Sequence, residues 1–210
     1  MIGFLPYRTP NWITETFPGL IWKGESEDLY LTFDDGPIPN VTEYIIELLE
    51  EYSIKATFFC VGDNIRKHPE VFSMLIDGGH MIGNHTFNHL NGWQSNDRTY
   101  LENIAMCQDC LDSTAIPKKG RLFRPPHGRI TISQFQKLQH LYKVVMWTVL
   151  TQDFNSGHSM EYSLKKSIKA TTPGSIIVFH DNIKAEKKTR YMLRRYIDHF
   201  LNRGFQFKLL

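Results

Sequence analysis

Leu29-Tyr30-Leu31-Thr32-Phe33-Asp34-Asp35-Gly36-Pro37 is the stretch on which the fold turns. An apolar strand ends abruptly in two adjacent carboxylates, and Asp-Asp-Gly-Pro is a good turn sequence. In parallel α/β architectures the carboxyl ends of strands are where functional side chains collect. Strand candidates on either side extend the pattern: 28–34, 54–60, 79–84, 121–125, 142–150, 174–180 and 205–209. Between them the hydrophobic period switches to that of helices. Val41, Ile45, Leu48, Leu49 and Tyr52 form one apolar stripe, with Asn40 as N-cap and Glu43 three residues on. Leu101, Ile104, Ala105, Cys107 and Leu111 form another, and further helical segments cover 61–77, 131–140, 159–170 and 186–202. Strand and helix alternating in this way predicts an α/β fold with parallel strands and helices outside. Seven units point towards a barrel, although the pattern alone also fits an open sheet. No linker, repeat or low-complexity tract divides the chain, so residues 28–210 are expected to form a single domain. Residues 1–27 are expected to form an N-terminal arm packed on it.

Bulk properties exclude several classes. A chain of 210 residues can bury a sizeable core, and 41% apolar with 22% charged residues is ordinary for a globular protein. A net charge of +2 is too small to indicate nucleic acid, while a pI near 8.4 mildly favours neutral or acidic partners. No apolar run is long enough for a transmembrane helix. The first residues, Met1 to Arg8, lack the charged stretch and apolar run of a secretory leader, which makes the cytoplasm the default address. Three cysteines argue against a disulfide framework.

The ionisable residues fall at predicted strand ends. Asp34 and Asp35 end the first, Asn84 and His85 the third, and Arg124 with Pro125-Pro126-His127-Gly128 the fourth. Asp153 follows the fifth, and His180-Asp181 ends the sixth. His85 and His89 are four apart, so on a helical turn both rings would reach one ion; the alternative is two exposed loop histidines. Position 86 is threonine, so the glutamate base of an HExxH site is absent and must come from elsewhere. Asp34-Asp35 can supply it, because neighbouring side chains at a strand end diverge. One can bind metal while the other stays free as a base. Arg124, stiffened by two prolines, could hold a carboxylate by paired hydrogen bonds. The turn at His127 could aim a backbone N–H at an oxyanion. His180 suits a general acid, or else a histidine satisfied by local carbonyls. Asp153 could orient its imidazole and favour the charged form.

These residues carry a resemblance. The chain resembles the polysaccharide deacetylases of carbohydrate esterase family 4, the NodB-like group. The family's TFDDG motif is intact at Thr32 to Gly36, and its H-[S/T]-x-x-H motif at His85 to His89. An arginine-proline segment appears as Arg124-Pro-Pro-His127-Gly128, with histidine where the family has tyrosine. The D-x-x-D-W motif appears as Leu150-Thr-Gln-Asp153-Phe154, and L-x-H as Val178-Phe-His180. The resemblance implies a distorted (β/α)7 barrel that removes acetyl groups from an amino-sugar polymer such as peptidoglycan or a chitin-like glycan. It implies that Asp35, His85 and His89 hold a divalent metal, usually zinc, and that Asp34 is the base, paired with Arg124. It further implies that the backbone amide of His127 stabilises the oxyanion, and that His180 protonates the leaving amine with Asp153 behind it. Leu150 and Phe154 depart from the family pattern, so the substrate walls have changed more than the chemistry. A glycan substrate suggests the cell envelope, against the cytoplasm that the missing leader suggests.

Three other readings use the same residues. One is an O-acetyl esterase on a xylan-like glycan, and another a catalytically dead carbohydrate-binding domain. The third is a non-haem iron oxygenase, since two histidines and a carboxylate also suit iron(II). Cys107-Gln-Asp-Cys110 falls inside a helical stripe and reads as core filling. The basic run Lys184, Lys187, Lys188, Arg190, Arg194 and Arg195 reads as a solvated helix face. Trp93 is the best candidate for a sugar-stacking platform, with an ordinary packing role as the alternative.

Overall fold

The computed structural model describes residues 6–113 and 120–210. Seven strands make one sheet: β1 (Tyr30–Asp34), β2 (Thr57–Cys60), β3 (Met81–Asn84), β4 (Leu122–Phe123), β5 (Lys143–Val144), β6 (Val149–Leu150) and β7 (Ile176–His180). Their spatial order is β5-β4-β3-β2-β1-β7-β6, and every strand pair is parallel. The sheet curls into a half-barrel, the single-domain parallel architecture expected from the sequence. β1 lies inside the sheet between β2 and β7 and all five of its residues are buried, as a strand covered on both faces requires.

The helices are α1 (Asn11–Thr16), α2 (Val41–Glu51), α3 (Gly62–Lys67), α4 (Pro69–Asp77), α5 (Asp97–Asp112), α6 (Ile132–Leu138), α7 (Met160–Ala170) and α8 (Glu186–Leu201). The main core lies between the sheet and this helical layer. Leu31, Phe33 and Phe58 from the strands pack with Ile45, Leu49, Leu193 and Tyr196 from α2 and α8. The expected capping box starts α2, with the Asn40 N–H bonded to Glu43 Oε2 at 2.5 Å.

Three elements differ from the expectation. The run 142–150 is two strands, β5 and β6, on opposite edges of the sheet. The segment 205–209 forms no strand and contributes only a parallel bridge from Phe207 to Leu29. The helical run 61–77 breaks into α3 and α4 at His68, because Pro69 disfavours helical geometry in the residue before it.

The segment preceding β1 bonds to both sheet edges. The Leu150 amide donates to the Tyr7 carbonyl and the Thr9 amide to Thr148, along β6. The Ile21 amide donates to Val144, and Met146 donates back to Ile21, along β5. Edge strands offer unpaired backbone groups that a folded protein must cover, and residues 7–21 cover both. Residues 1–5 of the expected arm lie outside the described residues.

Candidate active site

Every strand that carries a predicted site residue delivers it to the same rim. Asp34 closes β1, and Asp35 follows with φ 91°, a value few non-glycine residues adopt. The segment after β3 brings round His85 and His89. It is a turn and not the helical turn considered from the spacing: Thr86 and His89 have φ of 65° and 59°. The two rings still converge, with centroids 5.1 Å apart. Asp35 Oδ1 lies 3.1 Å from His89 Nε2 and 3.5 Å from His85 Nε2. One potential ligand atom from each of Asp35, His85 and His89 falls within 4.8 Å of the others, so the three form a possible metal-binding triad.

The hydrogen bonds around the triad test whether a cation suits it. His85 Nδ1 sits 2.7 Å from the Arg124 carbonyl, which can only accept. The proton is therefore on Nδ1, and a neutral ring presents the bare lone pair of Nε2 to the site, as in many metal-ligating histidines. Asp35 Oδ1 is buried without a hydrogen-bond partner. An uncompensated buried acceptor beside the bare His85 Nε2 is costly, and a cation between them removes that cost. Two nitrogens and one carboxylate are a borderline donor set suited to zinc or a similar divalent ion.

Arg124 is fully buried and serves both sides of the site. Its Nη1 donates to Asp34 Oδ1 and to Thr32 Oγ1, each at 2.7 Å. Nε and Nη2 donate to the carbonyls of Val145 and Met146. The guanidinium lies 4.1 Å from the centroid of the Phe59 ring. The paired hydrogen bonds expected towards a carboxylate are thus not made. Nη1 serves Asp34 and Thr32 on β1, and Nε and Nη2 anchor Arg124 to the chain after β5. Asp34 Oδ2 has no hydrogen bond among the described residues.

At the other end, His180 Nδ1 lies 2.7 Å from Asp153 Oδ1, while Asp153 Oδ2 accepts the His180 N–H at 2.7 Å and Thr189 Oγ1 at 2.9 Å. Burial opposes protonation of His180, but Asp153, Asp35 and Asp34 prevail and raise its pKa to about 9. Phe154 meets the imidazole edge-on at 5.0 Å. His127 has φ 59°, and its amide has no hydrogen-bond partner among the described residues. Its ring packs edge-on against His89 at 4.6 Å, and burial, then His89 and Arg129, bring its pKa down to about 4.

Two residues with no motif signal join the site. Asn182 Nδ2 donates to Asp35 Oδ2 at 2.5 Å. The buried Asp181 accepts the Gly36 N–H on Oδ1 and Thr42 Oγ1 on Oδ2, and its own N–H bonds to the Asp34 carbonyl. A Cβ on Gly36 would come within 1.8 Å of Asp181 Oδ2, so this approach requires glycine. Burial lifts the Asp181 carboxyl to about 8 despite these bonds.

The discounted features stay apart. Cys107 is buried in α5, its thiol 3.5 Å from the Cys60 carbonyl, with a pKa pushed up to about 12 by burial, the profile of an inert core thiol. In the basic run, Arg190 pairs with Glu186 and Arg194 with Glu51, so that helix face is partly neutralised.

Known proteins share this combination of sheet and rim. The sequence profile described as polysaccharide deacetylase matches residues 23–143, more than half of the chain. Two Bacillus cereus proteins named peptidoglycan-N-acetylglucosamine deacetylase are similar to it. One is 34% identical over 156 residues, covering 73% of this chain and 55% of the relative. The other is 31% identical over 211 residues, covering 98% and 90%. A chitooligosaccharide deacetylase of Azorhizobium caulinodans is 31% identical over 79% of each chain. Among solved structures, the Bc1960 peptidoglycan N-acetylglucosamine deacetylase in complex with a naphthalenyl N-oxidanyl-benzamide superposes with a TM-score of 0.87 at 28% identity, covering 96% of this chain and 95% of the other. The chain belongs to the polysaccharide deacetylase family, and with it to the hydrolases of the carbohydrate esterase group with NodB homology.

Proposed function

We propose that this protein hydrolyses N-acetyl groups on an amino-sugar polymer, releasing acetate and a free amine. The observation that carries the reading is the uncompensated Asp35 Oδ1, facing two imidazoles beside a second aspartate pinned by a buried arginine. Asp35, His85 and His89 would hold a divalent cation, zinc fitting the donor set best. Bound there, it would supply the Lewis acidity that makes water nucleophilic at neutral pH and polarises the acetyl carbonyl.

The other residues divide the work. Asp34 accepts the proton of the attacking water on its unbonded Oδ2, while Arg124 fixes its Oδ1. The unpaired His127 amide donates to the carbonyl oxygen as charge develops there. His180 enters the reaction protonated, because Asp153 keeps its pKa near 9. It delivers that proton to the sugar nitrogen as the carbon–nitrogen bond breaks. An amine leaves only when protonated, whereas an alkoxide from an ester departs more readily. A histidine kept charged at neutral pH therefore favours the amide over the O-acetyl ester.

The rim bears on the polymer. Arg129 lies 5.3 Å over Trp93, beyond His127, and Lys184 lies 5.5 Å over Phe154, beside His180. Neither cation joins an ion pair among the described residues. Cationic aromatic edges on both sides suit a glycan bearing carboxylates, and peptidoglycan carries them on its lactyl and peptide groups. The names of the relatives support the same choice.

Acetate release by the zinc-loaded protein, measured on peptidoglycan, acetylated chitooligosaccharides and acetylated xylan, tests the proposal. Release is expected from the N-acetylated glycans, with His180→Ala losing more rate on amides than on activated esters. Acetate from xylan alone, or glycan binding with no acetate from any substrate, would overturn it in favour of the esterase or the dead binding domain.

A further inference from the structure

Asp35 has an unusual backbone, and three consecutive residues at the end of β7 grip its surroundings. His180 turns to Asp153. Asp181 takes the backbone on either side of Asp35, through the Asp34 carbonyl and the Gly36 amide. Asn64 Nδ2 adds a bond to the Asp35 carbonyl at 2.7 Å. The main chain of Asp35 is thereby held at a φ that costs on the order of 1–3 kcal/mol. What these bonds leave free is rotation of the carboxylate about its terminal torsion, a broad and soft coordinate.

Asn182 removes that freedom. Its amide orientation follows from the bonding: Oδ1 accepts the Ala185 N–H at 2.9 Å, and an N–H can only donate. The opposite end of the amide, Nδ2, must then face Asp35, where it donates to Oδ2. One carboxylate oxygen is held by Asn182, and the other is left without a partner beside the imidazoles. The turn that starts α8 fixes the amide, and the amide fixes which oxygen points to the triad.

We infer that Asn182 is a positioning residue for Asp35, presetting it as a one-oxygen ligand and so setting the affinity of the triad for its cation. This rests on the reading that Asp35, His85 and His89 bind a divalent ion. Hydrogen-bond partners of ligating carboxylates contribute about 10–100-fold to metal affinity.

Two variants separate this role from holding the turn that precedes α8. Asn182→Ala removes both bonds. Asn182→Ser keeps a good acceptor for the Ala185 N–H but is one atom shorter towards Asp35. Zinc affinity of the metal-stripped protein is measured by competition with a chromophoric chelator, and thermal unfolding of the same metal-free protein is recorded. Both variants are expected to bind zinc about 10–100-fold more weakly. Asn182→Ser should keep the wild-type melting temperature. Zinc binding by Asn182→Ser within about twofold of wild type would overturn the inference, including where Asn182→Ala is weakened, since that pattern assigns Asn182 to the helix start alone. Failure of the wild-type protein to bind zinc would instead overturn the triad reading and this inference with it, and the wild-type arm tells the two apart.

Discussion

The two ends of the site are built on opposite terms. At the His180 end the carboxylate is fully engaged: His180 Nδ1 and the backbone N–H both meet Asp153, whose second oxygen also takes Thr189. At the Asp35 end one oxygen is held by Asn182 and the other, buried, has no hydrogen-bond partner, with two imidazole nitrogens within 3.5 Å. A satisfied buried group is fixed in place and in charge, whereas a buried carboxylate oxygen without a donor is stabilised by a positive ion beside it. The first end suits a proton that must be ready, and the second an ion that must be bound.

Arg124, bonded to Asp34 through its side chain and to His85 through its carbonyl, should give the largest effect. Arg124→Met keeps the volume but strands Asp34 Oδ1 and two carbonyls in the interior. Removing one partner of a buried pair costs about 3–5 kcal/mol, so the urea midpoint should drop accordingly. A variant as stable as wild type would contradict the weight given to the buried Asp34–Arg124 pair.

Next comes Asp34→Asn, expected to lower turnover by about 10²-fold or more, as for loss of a general base, with zinc content unchanged. Loss of zinc along with the rate would merge the two aspartates into one role, and an unchanged rate would remove the base from Asp34.

The charge held at His180 sharpens the comparison through pH. Its folded pKa, about 9, lies above its ordinary value of about 6.5, so it binds its proton more tightly in the folded state. Its contribution to stability is fully present below about pH 6.5 and is lost as pH rises through about 9. Metal-stripped wild-type protein should therefore lose more stability between pH 6.5 and 9 than Asp153→Asn does, read from urea midpoints across that window. Parallel curves would contradict the Asp153 coupling.

The smallest effect is expected at the rim. Trp93 is 64% exposed, its indole N–H bonded to the Ile130 carbonyl and its ring facing Arg129. If it stacks on sugar, Trp93→Ala should raise KM about two- to tenfold, the worth of one aromatic contact, with less change in kcat.

Much of this was legible in the chain because it depends on local pattern. The strand ending in Asp34-Asp35 and the helical stripe of α2 are set by neighbours in sequence, and so was the helix break at Pro69, although the run 61–77 was read through it. The division of 142–150 was not legible, since Tyr142 to Leu150 is nearly continuous in apolar character. What separates β5 from β6 is the segment of residues 7–21, which pairs with each from afar. The convergence of His85 and His89 was anticipated, but from helical spacing; the structure achieves it with a turn through positive φ. Asn182 lay beyond reach because its meaning is a contact 147 positions away, and nothing in the local sequence signals it.

The central claim is that Asp35, His85 and His89 share one cation, and titration of zinc into the chelator-stripped protein tests it most directly. The predicted result is one tightly bound equivalent in the wild type, weakened more than about 100-fold in Asp35→Asn and in His89→Ala, beyond the loss expected for an outer partner. No tight equivalent in the wild type, or an undiminished one in both variants, would contradict it.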